Sequence, residues 1–302
     1  MKIEKAIRKS LPAVICLYGE SGSGKTFSAL KLAHGLVANA KNNRVCVIDT
    51  ENHRASHYDA DFDFDVINLE APFSSHKFIE AIKLAQNEGY GAIIIDSISH
   101  EWDGVGGAVY QADNSSLKNK LAVWQVPKKE HKRLMDFILS SKCHIILCAR
   151  SKAKIKQVGK DIVEDGIVPI QDKTFLYDML VVFHMHNKGQ AEIIKCPKNF
   201  ELNIKDYINE AHGKVIADWV NAGASIDLEK LQLQKEARLV ATEGYLIFKN
   251  WCEQLEQSQK DLLKNIRDEL VEIYKEADGN VKPAIINFTP PPAKNIEKPL
   301  DN

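Results

Sequence analysis

No apolar run in the 302 residues approaches the ~20 needed to cross a bilayer. The opening MKIEKAIRKS carries charge but no hydrophobic stretch, so it does not read as a secretory signal. An excess of one charge sign is also missing: 40 Lys+Arg stand against 41 Asp+Glu, a formal net charge of -1. The chain as a whole is therefore no polybasic nucleic-acid binder, and any such contact must come from a local patch. Among six cysteines there is no CxxC pair. Cys16, Cys46, Cys143 and Cys148 lie in apolar, strand-like runs, which reads as free buried thiols in a reducing compartment. Cys143 and Cys148 supply only two ligands and do not close a zinc shell. No internal repeat is present. These absences exclude membrane, secreted, fibrous and wholly disordered classes. What is left is a cytoplasmic globular chain, 44% hydrophobic and 27% charged, long enough for one large domain or two smaller ones.

Short apolar runs alternate with helical patterns over the first two-thirds of the chain. Residues 14–18, 44–49, 64–69, 92–96, 144–149 and 179–184 read as strands, and 190–196 as the return arm of a hairpin turning at 187–189. The run AIIID at 92–96 is continuous and β-branched, as in a central parallel strand covered on both faces. Residues 27–40, 74–88 and 127–141 read as helices, the second opening on Ser74 and the third with Pro127 at its first position. The alternation predicts an α/β fold with a mostly parallel sheet flanked by helices, over residues 1–225. Three charged, periodic segments, 228–240, 242–255 and 259–277, predict a small helical module over 226–278. The proline-rich 279–302 predicts a disordered tail.

Gly19-Glu20-Ser21-Gly22-Ser23-Gly24-Lys25-Thr26 fits G-x-x-x-x-G-K-[ST], directly after a strand and directly before a helix. The glycines let successive backbone N–H groups turn inward on phosphates, and the helix N-terminus adds positive potential. Lys25 reaches the β- and γ-phosphates, and Thr26 ligates Mg²⁺. The cofactors implied are ATP and Mg²⁺. Asp96, ending an apolar strand, is the expected partner that holds the Mg²⁺ through water. Ser97 follows it where AAA+ ATPases carry a water-activating Glu, which argues against that class. Glu20 stands where partition-type ATPases carry a second lysine. Glu51, just past the strand RVCVID, stands where a resemblance to RecA-type ATPases implies the general base, with Glu101 competing.

On these residues the chain resembles the RecA core over about residues 12–205. VIDTEN looks like that family's strand with the catalytic Glu, and AIIIDSISHEW like its metal-binding strand and first DNA-facing loop. HIILCARSKAKI resembles the next strand, with a polar sensor and a mobile second DNA loop. EIIKCPKNFEL looks like the late antiparallel hairpin whose lysines act across a subunit interface. GESGSGKT, VIDTEN, IIIDSISHEW and VWQVPKKEHKRLM together also resemble phage and prophage AAA-type ATP-binding proteins, some related to phage recombination or single-strand-annealing ATPases. The fold implied is a RecA-like P-loop NTPase. One departure stands out: Arg150 occupies the place where RecA has a Gln sensor.

Arg150, Lys152, Lys154, Lys156 and Lys160 put five cations into eleven residues with no acid, suited to the phosphates of a single strand if the segment is extended. Trp102 and Trp124 read either as base-stacking groups or, more plainly, as caps on the core. Lys195 and Lys198 are the candidate fingers that reach a neighbouring protomer. His184 and His186 alternate onto one face of a strand, and two ligands alone read as a polar strand end. The leading expectation is a Mg·ATP-hydrolysing, oligomeric ATPase acting on single-stranded DNA in phage-type recombination or annealing, with a phage or host partner. Lys25, Glu51, Asp96 and Arg150 form its catalytic set. A small-molecule P-loop kinase and a nucleotide-gated adaptor with little hydrolysis are the alternatives.

Overall fold

A computed structural model describes residues 5–158 and 161–278. The expected tail, 279–302, and Lys160 lie outside the described residues. The chain divides into two compact units, Met1–Leu228 and Glu229–Asn302.

In the first unit the strand β1 (Val14–Gly19) leads to helix α1 (Lys25–Val37), β2 (Val45–Asp49), β3 (Asp65–Asn68), α2 (Ser75–Asn87) and β4 (Ala92–Asp96). Short helices α3 (Ser99–Asp103) and α4 (Ala108–Asp113) precede α5 (Gln125–Ile138). Then come β5 (His144–Val158), β6 (Asp161–Pro169), β7 (Val181–Met185), β8 (Ala191–Lys195) and α6 (Glu210–Asn221). The sheet runs β3-β2-β4-β5-β1-β7-β8, with β6 paired to β5. Pairings from β3 to β7 are parallel, whereas β7–β8 and β5–β6 are antiparallel. The expected α/β architecture with its late antiparallel hairpin is therefore the one observed.

The β-branched runs are continuous because both faces are covered. Along β4, Ile94 packs with Ile15, Leu17 and α1 on one face. Ile93 and Ile95 pack with Cys16, Leu147, α2 and α5 on the other. Ser74 caps α2, its side chain accepting from the Lys77 amide. Helix α5 starts two residues earlier than expected, so Pro127 is its third residue, still within the first turn where no N–H is missed. The larger correction concerns residues 150–158. Instead of a loop, β5 runs on past the sheet and pairs with β6 as a long hairpin, through Ser151↔Pro169, Lys152↔Val168 and Ala153↔Ile167. The partner strand carries the β-branched run IVEDGIVP.

The second unit is helical: α7 (Leu228–Ala241), α8 (Tyr245–Glu253), α9 (Gln257–Leu263) and α10 (Arg267–Ala277) enclose Ala237, Phe248, Cys252, Leu263, Leu270 and Tyr274. The expected third helix is two, broken by a 3-10 turn at Lys264–Ile266. No Gly or Pro marks the break. Leu263 and Ile266 are both buried there, and the Asn265 side chain accepts from Gln234 Nε2 at 2.9 Å.

Helices α1 and α6 meet backbone to backbone. A Cβ on Gly35 would overlap the Glu210 carbonyl, and one on Gly213 would overlap that of Leu32. Elsewhere in a helix Gly→Ala gains about 1 kcal/mol. Here overpacking, about 1–3 kcal/mol, opposes and exceeds that gain. Gly35→Ala and Gly213→Ala are each expected to lower stability in urea titrations, against the helix-propensity trend.

Candidate nucleotide site and adjoining cleft

The C-terminal ends of β1, β2, β4 and β5 lie side by side, with Asp49 opposite Asp96 and Gly19 opposite Arg150. The loop after β1 turns through Gly22 and Gly24, both at φ of 80°, a left-handed conformation that favours glycine. Gly24 also abuts Gly189, so the turn Asn187–Gly189 rests against the loop. The Lys25 ammonium is buried and donates to the carbonyls of Gly19 (3.0 Å) and Glu20 (2.7 Å). Thr26 Oγ1 donates to Asp96 Oδ2 at 2.5 Å. Ser23 Oγ is buried with no partner among the described residues. A loop built on left-handed glycines, an orphan hydroxyl, a lysine held only by carbonyls and a hydroxyl–carboxylate pair together fit a triphosphate and its Mg²⁺.

Asp96 is buried at the end of β4, and that burial pushes its carboxyl up to about 6; the nearby negative charges of Glu51 and Asp49 add to the effect, against Thr26 and Lys25. Asp49 is spent on structure, accepting from the amides of Glu51 (2.6 Å) and Ala55 (2.9 Å). Those bonds turn the chain after β2 so that Glu51 meets Arg150. The guanidinium grips the carboxylate bidentately, Nε to Oε1 at 2.8 Å and Nη2 to Oε2 at 2.6 Å. Burial pushes Glu51 up, but the Arg150 hydrogen bond and charge more than offset it, and the carboxyl ends below its usual value. Thr50 ties this corner to the segment after β4, its Oγ1 accepting from Ser97 N at 2.7 Å and lying 2.7 Å from His100 Nδ1.

Glu101, the competing base, sits elsewhere. It is fully buried, accepts from Ser75 Oγ (2.6 Å) and Gln171 Nε2 (3.3 Å), and lies 2.9 Å from His131 Nδ1. Burial disfavours the charged imidazole, but Glu101 outweighs it and His131 is raised. A carboxylate so occupied braces α3, α2, α5 and the chain after β6. Sequence reading missed His131 and Gln171. A His on the apolar face of α5 and a Gln just past a β-branched run were the only signals.

The β5–β6 hairpin faces a cleft of about 1020 Å³. Trp102 and Trp124 line it, with ring centroids 5.9 Å apart and planes 24° from parallel, together with Lys128, Lys152, Lys154 and Lys173. Both tryptophans are half-buried rather than sealed into the core. Lys154 pairs with Asp165 at 2.7 Å. Lys156 is exposed farther along the hairpin. Lys195 Nζ donates to the carbonyls of Tyr177 (2.6 Å) and Leu176 (3.3 Å), while Lys198 is exposed.

Residues 11–188, more than half of the chain and including every group of the nucleotide site, match the family model described as an AAA domain. The chain belongs to that family. It is thus a nucleotide-binding P-loop ATPase, in keeping with the expected resemblance to AAA-type ATP-binding proteins. Among solved structures, a KaiC-like protein from the hyperthermophilic archaeon Pyrococcus horikoshii is similar at 14% identity and a TM-score of 0.35, over 64% of this chain and 89% of that one. No curated protein matches the chain. Among the described residues no helix is long and apolar enough to cross a membrane.

A carboxyl whose folded value, about 6, exceeds its reference value of 3.8 binds an extra proton in the folded state between those limits. Its contribution is most favourable below the lower value and declines as pH rises through the upper one. Asp96→Asn is therefore expected to stabilise the nucleotide-free protein by about 3 kcal/mol at pH 8 and by little at pH 4. Urea titrations in chelator at both pH values check this.

Proposed function

We propose that this AAA-family ATPase hydrolyses Mg·ATP in a cycle coupled to single-stranded DNA, as in phage-type recombination or annealing. One observation carries the reading. Within β5, Arg150 grips Glu51 beside the phosphate loop, and two residues later Lys152 lines the cleft that holds the stacked tryptophans. A single strand joins the two sites.

Lys25 and the loop amides would hold the phosphates, and Thr26 with Asp96 the Mg²⁺; the metal would neutralise charge on the phosphates. Glu51 is the group for orienting and deprotonating water, but while Arg150 holds both of its oxygens it is a poor base. A γ-phosphate offers the guanidinium a second anion. As Arg150 turns toward it, Glu51 is released and the start of the hairpin shifts. In the cleft, bases stack on Trp102 and Trp124 while lysines meet the backbone. The protein acts as an oligomer, with Lys198 as the group that reaches a neighbouring protomer; Lys195 is already committed to carbonyls.

ATP turnover measured over a protein titration, with and without single-stranded DNA, tests the reading. Turnover is expected to rise several-fold with DNA. Turnover indifferent to DNA and dependent on a small acceptor would replace it with a kinase. Glu51→Gln is expected to lower kcat by at least 100-fold while nucleotide still binds, since general-base catalysis is worth about 10²–10⁴. Trp102→Ala is expected to weaken single-strand binding by roughly tenfold, about 1–3 kcal/mol per stacked base. Lys152→Ala should weaken it less and flatten its salt dependence, by fluorescence anisotropy at several salt concentrations.

A further inference from the structure

On the β7–β8 hairpin, outside the nucleotide site, three potential ligands converge. His184 lies on β7 and His186 is the first residue past its end, their rings 4.2 Å apart, and Glu192 on β8 is the cross-strand partner of His184. One ligand atom from each lies within 4.8 Å of the other two. His186 Nε2 is 3.1 Å from Glu192 Oε2, and His184 Nδ1 is 4.0 Å from the same oxygen. Ligand atoms about 2.0–2.2 Å from a tetrahedral ion stand roughly 3.3 Å apart, so the spacing needs only small side-chain rotations. The backbone is preorganised by the strand pairing, and the Tyr18 ring stacks on His184 at 4.9 Å and 11°, fixing the imidazole plane.

We propose that His184, His186 and Glu192 form a second cation site, one that takes a borderline transition ion such as Zn²⁺ rather than Mg²⁺. Two imidazoles and one carboxylate suit Zn²⁺, whereas Mg²⁺ prefers oxygen and water. Three protein ligands leave a fourth position open, on the exposed side of His186 and Glu192. The site clamps β8 to β7 next to the turn Asn187–Gly189, which rests on Gly24 of the phosphate loop. Tyr18 links it directly to β1, one residue before Gly19. Occupancy would hold that turn in place against the loop.

The test is titration of Zn²⁺ into the full-length, nucleotide-free protein by calorimetry, with Co²⁺ as a spectroscopic substitute. One ion per chain is expected, at micromolar affinity or tighter and undisturbed by millimolar Mg²⁺. Co²⁺ should give visible bands without thiolate charge transfer, which separates this site from the six cysteines. His186→Ala and Glu192→Gln, both at exposed positions, are each expected to weaken binding at least tenfold while metal-free melting stays unchanged. Absence of saturable binding, a thiolate band at the same stoichiometry, or affinity indifferent to both substitutions overturns the proposal.

Discussion

A parallel sheet with helices on both faces has no room for charge except at the ends of its strands. In this protein that constraint does the positioning. Strands β1, β2, β4 and β5 point the same way, so whatever follows each of them is delivered to one rim. The phosphate loop, Asp49, Asp96, Glu51 and Arg150 all arrive there because the interior residues before them are apolar and fully buried. Crowding acids at a low-dielectric rim is costly unless each finds a donor or a cation. Asp49 finds backbone amides, Glu51 finds Arg150, and among the described residues Asp96 accepts from the Thr26 hydroxyl but grips no cation directly. Asp96 is the acid left wanting a cation, as suits a metal-holding carboxylate.

The pairing of Glu51 with Arg150 neutralises two opposite charges at the rim, beside the phosphate loop. The Arg150 amide also donates to Ser99 Oγ, so the strand that carries it is tied to the segment following β4. Both walls of the tryptophan cleft, the β5–β6 hairpin on one side and Trp102 of α3 on the other, are thereby connected to that arginine.

The phosphate loop and its flanking strand and helix were legible because the chemistry demands a contiguous spacing of residue types, and AIIID was legible because a doubly covered strand has no alternation to hide in. The rest depended on pairings distant in sequence. Arg150 and Glu51 lie 99 residues apart, and nothing local in either segment announces their ion pair. The hairpin of β5 with β6 was read as loop because its exposed face is lysine-rich. Glu101 was readable as an acid near the metal strand, but not as the hub for Ser75, His131 and Gln171, which come from three other parts of the chain. His184 and His186 were seen as a pair; Glu192 joins them only through the antiparallel register.

The glycine contact between α1 and α6 bears on which parts of the molecule can act as machinery. Lys25 and Thr26 sit on the first turn of α1, and α1 is pressed main chain to main chain against its neighbour with no side chain in between to act as a bearing. Such a seam has a single well-seated position, and sliding it would drive carbonyls into one another. The helix that receives the phosphates is therefore an anvil. The coupling proposed above would then have to run the other way, along the strand that bears the arginine.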